Sequence, residues 1–303
     1  MSVVWESCAG GARVLRVLGD TPCPVVPHAV DGVPVVEIGP YCFADKPVTG
    51  GTLWPADSAD THEITGNFVE EVTLPDAVSV IDSAAFYNCR KLRRVALGPA
   101  ADSFGSDLFT NCRSLQTLEL HADPGEPTGL RRLLVAISAD VTVAFTGGAR
   151  LFYPEYFELL DENTPAHIFN HSIEGEGYRM RQCFAPDGSL DFAAYDASFA
   201  QACVGESEEK LCKLALGRLC LPYALSDDAR ADYEFYLTAH PDAAFTLAIT
   251  AREETAVRLL VGLALPTARA AAYCAQQGWS AGAALLLGRR HKAAKKTYDF
   301  DDL

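Results

Sequence analysis

Between Val69 and Leu120 the apolar positions return with a fixed period. Leu92-Arg93-Arg94-Val95-Ala96-Leu97 is answered by Leu115-Gln116-Thr117-Leu118-Glu119-Leu120, and Phe86-Tyr87-Asn88-Cys89 by Phe109-Thr110-Asn111-Cys112, each pair 23 positions apart. One short strand and one loop have a single apolar face and cannot close a core. Stacked copies cover each other, and the buried surface becomes continuous. The order Leu-x-x-Val-x-Leu alternates as a strand with one covered face does. It predicts strands that bury Val72 and Leu74, Val95 and Leu97, and Leu118 and Leu120. Glu71, Thr73, Arg94, Ala96, Thr117 and Glu119 then point outward and form the candidate binding face. Asn88 and Asn111 are expected to be buried, with their amides on backbone groups that lack a ladder partner, and Cys89 and Cys112 to fill the apolar space beside them.

The run Val78-x-x-Ile81-x-x-x-x-Phe86-x-Asn88-Cys89-x-x-Leu92-x-x-Val95-x-Leu97 resembles the BspA-type leucine-rich repeat of bacterial proteins. The resemblance is specific over Val69–Leu120. It implies a right-handed solenoid with a small sheet on one side, used for interaction. Surface adhesins are among the proteins of this type, and no catalytic residues come with the likeness.

Outside the repeat, Ala12–Leu18 and Val33–Ile38 read as strands separated by turns at Gly19-Asp20-Thr21-Pro22 and Asp31-Gly32, and a hairpin of the two is expected to cap the first coil. Ile38 and Phe43 share the five-residue offset of Ile81 and Phe86. The 43 residues from Phe43 to Phe86 suggest one full period and a shortened one, with Leu53-Trp54-Pro55 as the remnant of its strand. Trp54 is expected under that coil. Val141 and Val143 fall 23 residues after Leu118 and Leu120 and predict a last strand that ends the solenoid near Phe145. Arg150–Cys203 is dense in aromatic residues, which need something to bury against, and Tyr153–Leu160 is expected as a short helix opened by Pro154.

From Glu206 the period changes to that of helices. Leu211, Leu214, Ala215 and Leu219 mark one stripe. Ser226-Asp227-Asp228 caps the next helix, which ends at His240-Pro241. Asp242–Thr250, Glu253–Leu263, Pro266–Gln277 and Ser280–Leu287 follow, with Ala268, Ala271, Ala272 and Ala275 as small contact residues. The alternation of short helices weakly resembles ankyrin-type repeats, without their Thr-Pro-Leu-His turn. The expected fold is α+β and multidomain: a leucine-rich repeat β-solenoid with a hairpin cap over 1–145, an aromatic-rich connecting segment over 146–205, and an all-α domain of stacked helical hairpins over 206–303.

Charge narrows the class of partner. With 40 acidic against 25 basic residues the formal charge is −15, which repels phosphate over most of the surface and excludes general nucleic-acid or anionic-membrane binding. An unidentified protein is the expected partner. The basic run Arg289-Arg290-His291-Lys292 with Lys295-Lys296 reads as a solvated helix end, followed by an acidic tail. The first residues carry no basic leader, and Val257–Ala275 is interrupted by Arg258, Pro266 and Arg269, so neither a secretory signal nor membrane insertion is expected. The ten cysteines include no Cys-x-x-Cys pair and read as reduced, mostly buried thiols of a cytoplasmic protein. The cell surface is the alternative if an export signal has been removed.

No phosphate-binding loop and no Gly-x-Ser-x-Gly elbow is present, and no cofactor is implied. Chemistry has one candidate, His167-Ile168-Phe169-Asn170-His171 with Cys183. On a helix the two imidazoles would share a face and hold Zn²⁺ with a thiolate, and a Cys–His pair would need Arg179 or Arg181 to lower the thiol pKa. Pro165, Asn170 and Gly175 oppose a helix there. The expected protein is not an enzyme.

Overall fold

The computed structural model describes residues 1–60, 62–163 and 168–293, and the chain forms two compact units, Met1–Ser198 and Phe199–Leu303. Most of the segment expected as a connector, 146–205, therefore lies in the first unit. An N-terminal β-solenoid is followed along the chain by a helical region. Among the described residues no helix is long and apolar enough to cross a membrane.

In chain order the first unit contains β1 (Ser2–Cys8), β2 (Gly11–Leu18), β3 (Ala29–Val30), β4 (Val33–Ile38), β5 (Thr52–Trp54), β6 (Glu71–Thr73), β7 (Val80–Ile81), β8 (Arg94–Leu97), β9 (Ser103–Phe104) and β10 (Thr117–Leu120). After them come α1 (Leu130–Val135), β11 (Val141–Phe145), β12 (Ala149–Tyr153), β13 (Phe157–Asn163), β14 (Ile168–Glu174), α2 (Gly177–Met180) and α3 (Phe192–Ala197). Two sheets make the solenoid. One runs β5-β1-β2-β4-β7-β9 with β3 beside β4, and the other β12-β11-β10-β8-β6. The central coils contribute β7 and β9 to the first sheet and β8 and β10 to the second. Val95 pairs with Val72 on one side and Leu118 on the other, and Leu118 with Val143. Val72, Val95, Leu118 and Val143 are all buried.

The corners between the sheets are stacked too. Phe43, Phe86 and Phe109 form one column, with ring centroids 5.0 Å and 5.4 Å apart. The Cys89 thiol donates to the Phe43 carbonyl at 3.1 Å and the Cys112 thiol to that of Phe86 at 2.9 Å. Each thiol is thereby a donor to the coil behind it. Asn88 and Asn111 do not lie inside. Both have positive φ, 61° and 63°, a conformation asparagine tolerates in tight turns. Asn111 is exposed, Asn88 half-buried, and the Asn111 amide donates to Asn88 Oδ1 at 2.8 Å. Gly105 sits where coils touch: a Cβ there would lie 2.1 Å from the Ser83 nitrogen.

Three expectations for the cap are corrected. The hairpin is β1 with β2, and β2 and β4 are parallel neighbours. Phe43 and Phe86 belong to adjacent coils, because β4 pairs directly with β7. The residues between them make no further coil. They run out to β5, which pairs with β1, and return through Ile64 to the Val17 carbonyl. Trp54, in β5, is half-buried. Arg16, 2 % exposed, holds this excursion by donating to the carbonyls of Cys42, Ala44 and Lys46.

At the opposite end β12 closes the second sheet, antiparallel to β11. Its open edge is met by the Tyr195 hydroxyl, which donates to the Phe152 carbonyl at 2.6 Å and accepts from the Phe152 N–H at 3.0 Å. Arg181, 3 % exposed, ties the following loops together through the carbonyls of Ile137, Ala139, Pro154 and Gly177. Burial pulls its pKa down to about 10, against the favourable influence of Tyr156 and Tyr153. The expected helix over Tyr153–Leu160 is absent. Tyr153 ends β12, Pro154 interrupts, and β13 pairs with β14 as a separate two-stranded sheet.

The second unit contains α4 (Phe199–Gly205), α5 (Glu208–Cys220), α6 (Asp227–Ala239), α7 (Pro241–Thr250), α8 (Glu254–Gly262), α9 (Ala268–Gln276) and α10 (Ser280–Ala293). Ser207 and Ser226 accept the Lys210 and Ala229 amides, so each caps its helix. The pairs α5–α6, α7–α8 and α9–α10 stack, with α7 between α5 and α9. The side chains of the basic run from Arg289 to Lys292, together with Lys295, Lys296 and the acidic tail, lie outside the described residues.

Gly105→Ala is expected to lower unfolding free energy by about 2 kcal/mol or more, since the methyl must displace backbone. Gly262→Ala, with nothing within 4 Å of the added Cβ, is expected to be neutral or slightly stabilising. Urea denaturation of both variants checks the difference. Tyr195→Phe removes both edge bonds of Phe152 and is expected to cost roughly 1–3 kcal/mol. Equal midpoints for Tyr195→Phe and the parent chain would refute the edge-capping role.

Candidate interaction surface

Parallel register places side chains of successive coils in rows across β6, β8, β10 and β11. One outward row is Glu71, Arg94, Thr117 and Thr142, and the next is Thr73, Ala96, Glu119 and Ala144. Strands one residue out of phase would have turned Val72 and Val95 to water. Alternation therefore fixes which residues are shown.

The charged members bond one another. Arg94 Nε lies 2.8 Å from Glu119 and its Nη1 3.3 Å from Glu71. Arg93 reaches Glu70 at 2.9 Å and Glu71 at 3.7 Å. His121 lies 2.8 Å from Asp76 and 3.6 Å from Glu119. The bond to Glu119, opposed by partial burial and supported by Glu71, raises the Arg94 pKa above the ordinary guanidinium value. Four carboxylates thus face two guanidiniums and an imidazole. Such pairs are half-open to water and contribute little to stability.

Of the six expected outward residues, Glu71, Thr73, Arg94, Thr117 and Glu119 are half-exposed, and Ala96 is not exposed at all. Ala96 lies between Thr73 and Glu119 in its row, and the Arg94–Glu119 bond crosses diagonally beside it. Its methyl is too short to clear these neighbours. Sequence reasoning missed Glu70, Asp76, Arg93 and His121, which lie at or beyond the strand ends. The pairing Glu70 to Arg93, one period apart, was available as a signal.

The histidine–cysteine constellation does not assemble as a helix face. His171 lies on β14, exposed, 3.3 Å from Glu158 across the hairpin, and His167 lies outside the described residues. Cys183 is buried and its thiol contacts the Arg179 carbonyl at 3.6 Å. Burial, with the Asp191 charge adding, pushes its pKa up to about 11, and Arg179 opposes only in part. Arg181 is spent on backbone carbonyls. No group of three His, Cys, Asp or Glu among the described residues is placed to hold a metal ion. The ten cysteines are free thiols. Burial pushes Cys42 and Cys112 up to about 12 and Cys89 higher still.

Residues 64–125 match the family model described as BspA type Leucine rich repeat region (6 copies). The coils over residues 64–125 are therefore similar to BspA-type leucine-rich repeats. No curated protein and no solved structure matches the chain.

Exposed Cys23 and Cys203 are expected to react with an aromatic disulfide within minutes at pH 8, and Cys42, Cys89 and Cys112 only on unfolding. Mass mapping of the labelled sites checks this. Fast labelling of Cys89 in the folded chain would contradict the corner stacking.

Proposed function

We propose that the protein is a non-enzymatic interaction scaffold whose second solenoid sheet holds a basic segment of a protein partner. The carrying observation is the outward array of Glu70, Glu71, Asp76 and Glu119, in excess over Arg93 and Arg94, on strands locked in register. Rigid backbone lowers the entropy cost of binding, and exposed carboxylates steer a cationic partner. BspA-type repeats support an interaction or adhesin-like role, and the chain's net charge of −15 supports the choice of sign. The stacked helices of the second unit are proposed as a further recruiting surface. Ten free thiols fit a reducing, cytoplasmic setting. At a cell surface the same sheet would serve as an adhesin.

The test is capture from the native host by the intact chain and by Glu71→Lys/Glu119→Lys. The reversed face is expected to lose its partner at least about tenfold, and salt raised from roughly 50 to 500 mM to weaken the parent complex. Retention of every partner by the double variant would overturn the assignment.

A further inference from the structure

The stacked corners end before the second sheet does. One coil earlier, the N–H groups of Ala84, Phe86 and Asn88 donate to the carbonyls of Ser106, Leu108 and Thr110 at 2.8, 3.2 and 2.9 Å. The equivalent donors of the next coil are the N–H groups of Asp107, Phe109 and Asn111. Among the described residues nothing accepts from any of the three. The chain supplies no following Phe-x-Asn-Cys corner: Asp123-Pro124-Gly125-Glu126-Pro127 and then α1 take its place. Among the described residues no fourth ring continues the Phe43–Phe86–Phe109 column, and Phe109 keeps 8 % exposure. Beside it lies a cavity of about 240 Å³, lined by Phe109, Asn111, Cys112, Arg113, Leu115 and the stretch from Ala136 to Ala139.

We propose that this corner is a peptide-binding site that takes an extended, acidic segment carrying one aromatic side chain. The segment's alternate carbonyls would accept from Asp107, Phe109 and Asn111 as the next coil would, which is strand addition by backbone pairing. Its ring would continue the column on Phe109, and the cavity has room for one ring. Charge selects the acidic occupant. Arg113 on the rim and Arg90 and Lys91 one coil behind are exposed and make no ion pair among the described residues, and the Asp107 carboxylate, which accepts from Thr110, is an opposing charge at the corner. This site is separate from the acidic sheet face and requires a partner segment of the opposite sign, so it does not depend on the scaffold reading above.

The test uses the full chain and a fluorescent acetylated, amidated heptapeptide with one phenylalanine flanked by aspartates, beside versions with alanine for phenylalanine and lysines for aspartates. Binding is read by anisotropy, and the location by amide shifts and hydrogen exchange. The parent peptide is expected to slow exchange at the Asp107, Phe109 and Asn111 amides at least about tenfold. Loss of the ring is expected to weaken binding roughly tenfold, and the lysine peptide not to bind. Arg113→Glu, at an exposed position that does not threaten folding, is expected to weaken the parent peptide about tenfold. Unchanged exchange at the three amides, equal binding of the lysine peptide, or shifts confined to other surfaces would overturn the proposal.

Discussion

The registry of one coil on the next is the constraint on which the first unit depends. A coil of this size has no core of its own, so every buried side chain in it is buried by a neighbour. The columns make this visible. Val72, Val95, Leu118 and Val143 succeed one another inside the second sheet, and Phe43, Phe86 and Phe109 at the corner. Burying one such side chain is worth roughly 1.5–3 kcal/mol, and a shift of one residue would expose a whole column at once. Gly105 and the thiols of Cys89 and Cys112 serve the same constraint: the glycine lets backbones approach, and each thiol fills a small space while bonding the coil behind.

A stack must also stop, and its two ends are handled differently. At the start, the β1–β2 hairpin and β5 cover the first coil, with Arg16 satisfying three loop carbonyls in a buried site. At the far end β12 runs antiparallel, which ends propagation, and Tyr195 meets its outer edge. Paired or covered edges suppress unwanted strand addition. At the corner of Asp107, Phe109 and Asn111 no described residue accepts from the three N–H groups, although the same chain protects its second-sheet edge a short distance along.

How much of this was legible follows from where the information lies. A 23-residue period is local and repeated, so the inward and outward residues of β6, β8 and β10 could be read from alternation alone. The second-unit helices could be read from caps and stripes, Ser226 before Asp227-Asp228 being the clearest. The 43-residue interval from Phe43 to Phe86 misled, because spacing alone does not distinguish an inserted coil from an excursion. The excursion is stabilised by β1 and Arg16, partners that lie far away in sequence. The roles of Arg16 and Arg181 were illegible for the same reason: backbone carbonyls carry no sequence signature. The expected helix over Tyr153–Leu160 covered the start of β13, where aromatic residues and Pro154 obscured a period of two.

Ala96 shows the limit of reading a binding face from alternation. Direction is set by the backbone, but accessibility is set by side-chain length relative to neighbours, and a methyl between Thr73 and Glu119 under the reach of Arg94 is covered. The same geometry explains why Arg94 is central. Its guanidinium bridges the coils on either side, one carboxylate from each, so a cationic ligand that engages Glu71 or Glu119 must compete with it. Competition of this kind exchanges one ion pair for another at nearly constant desolvation cost. On the scaffold function proposed above, affinity at this face is modest per contact and grows with the number of coils a partner spans, whereas specificity follows from the fixed spacing between them.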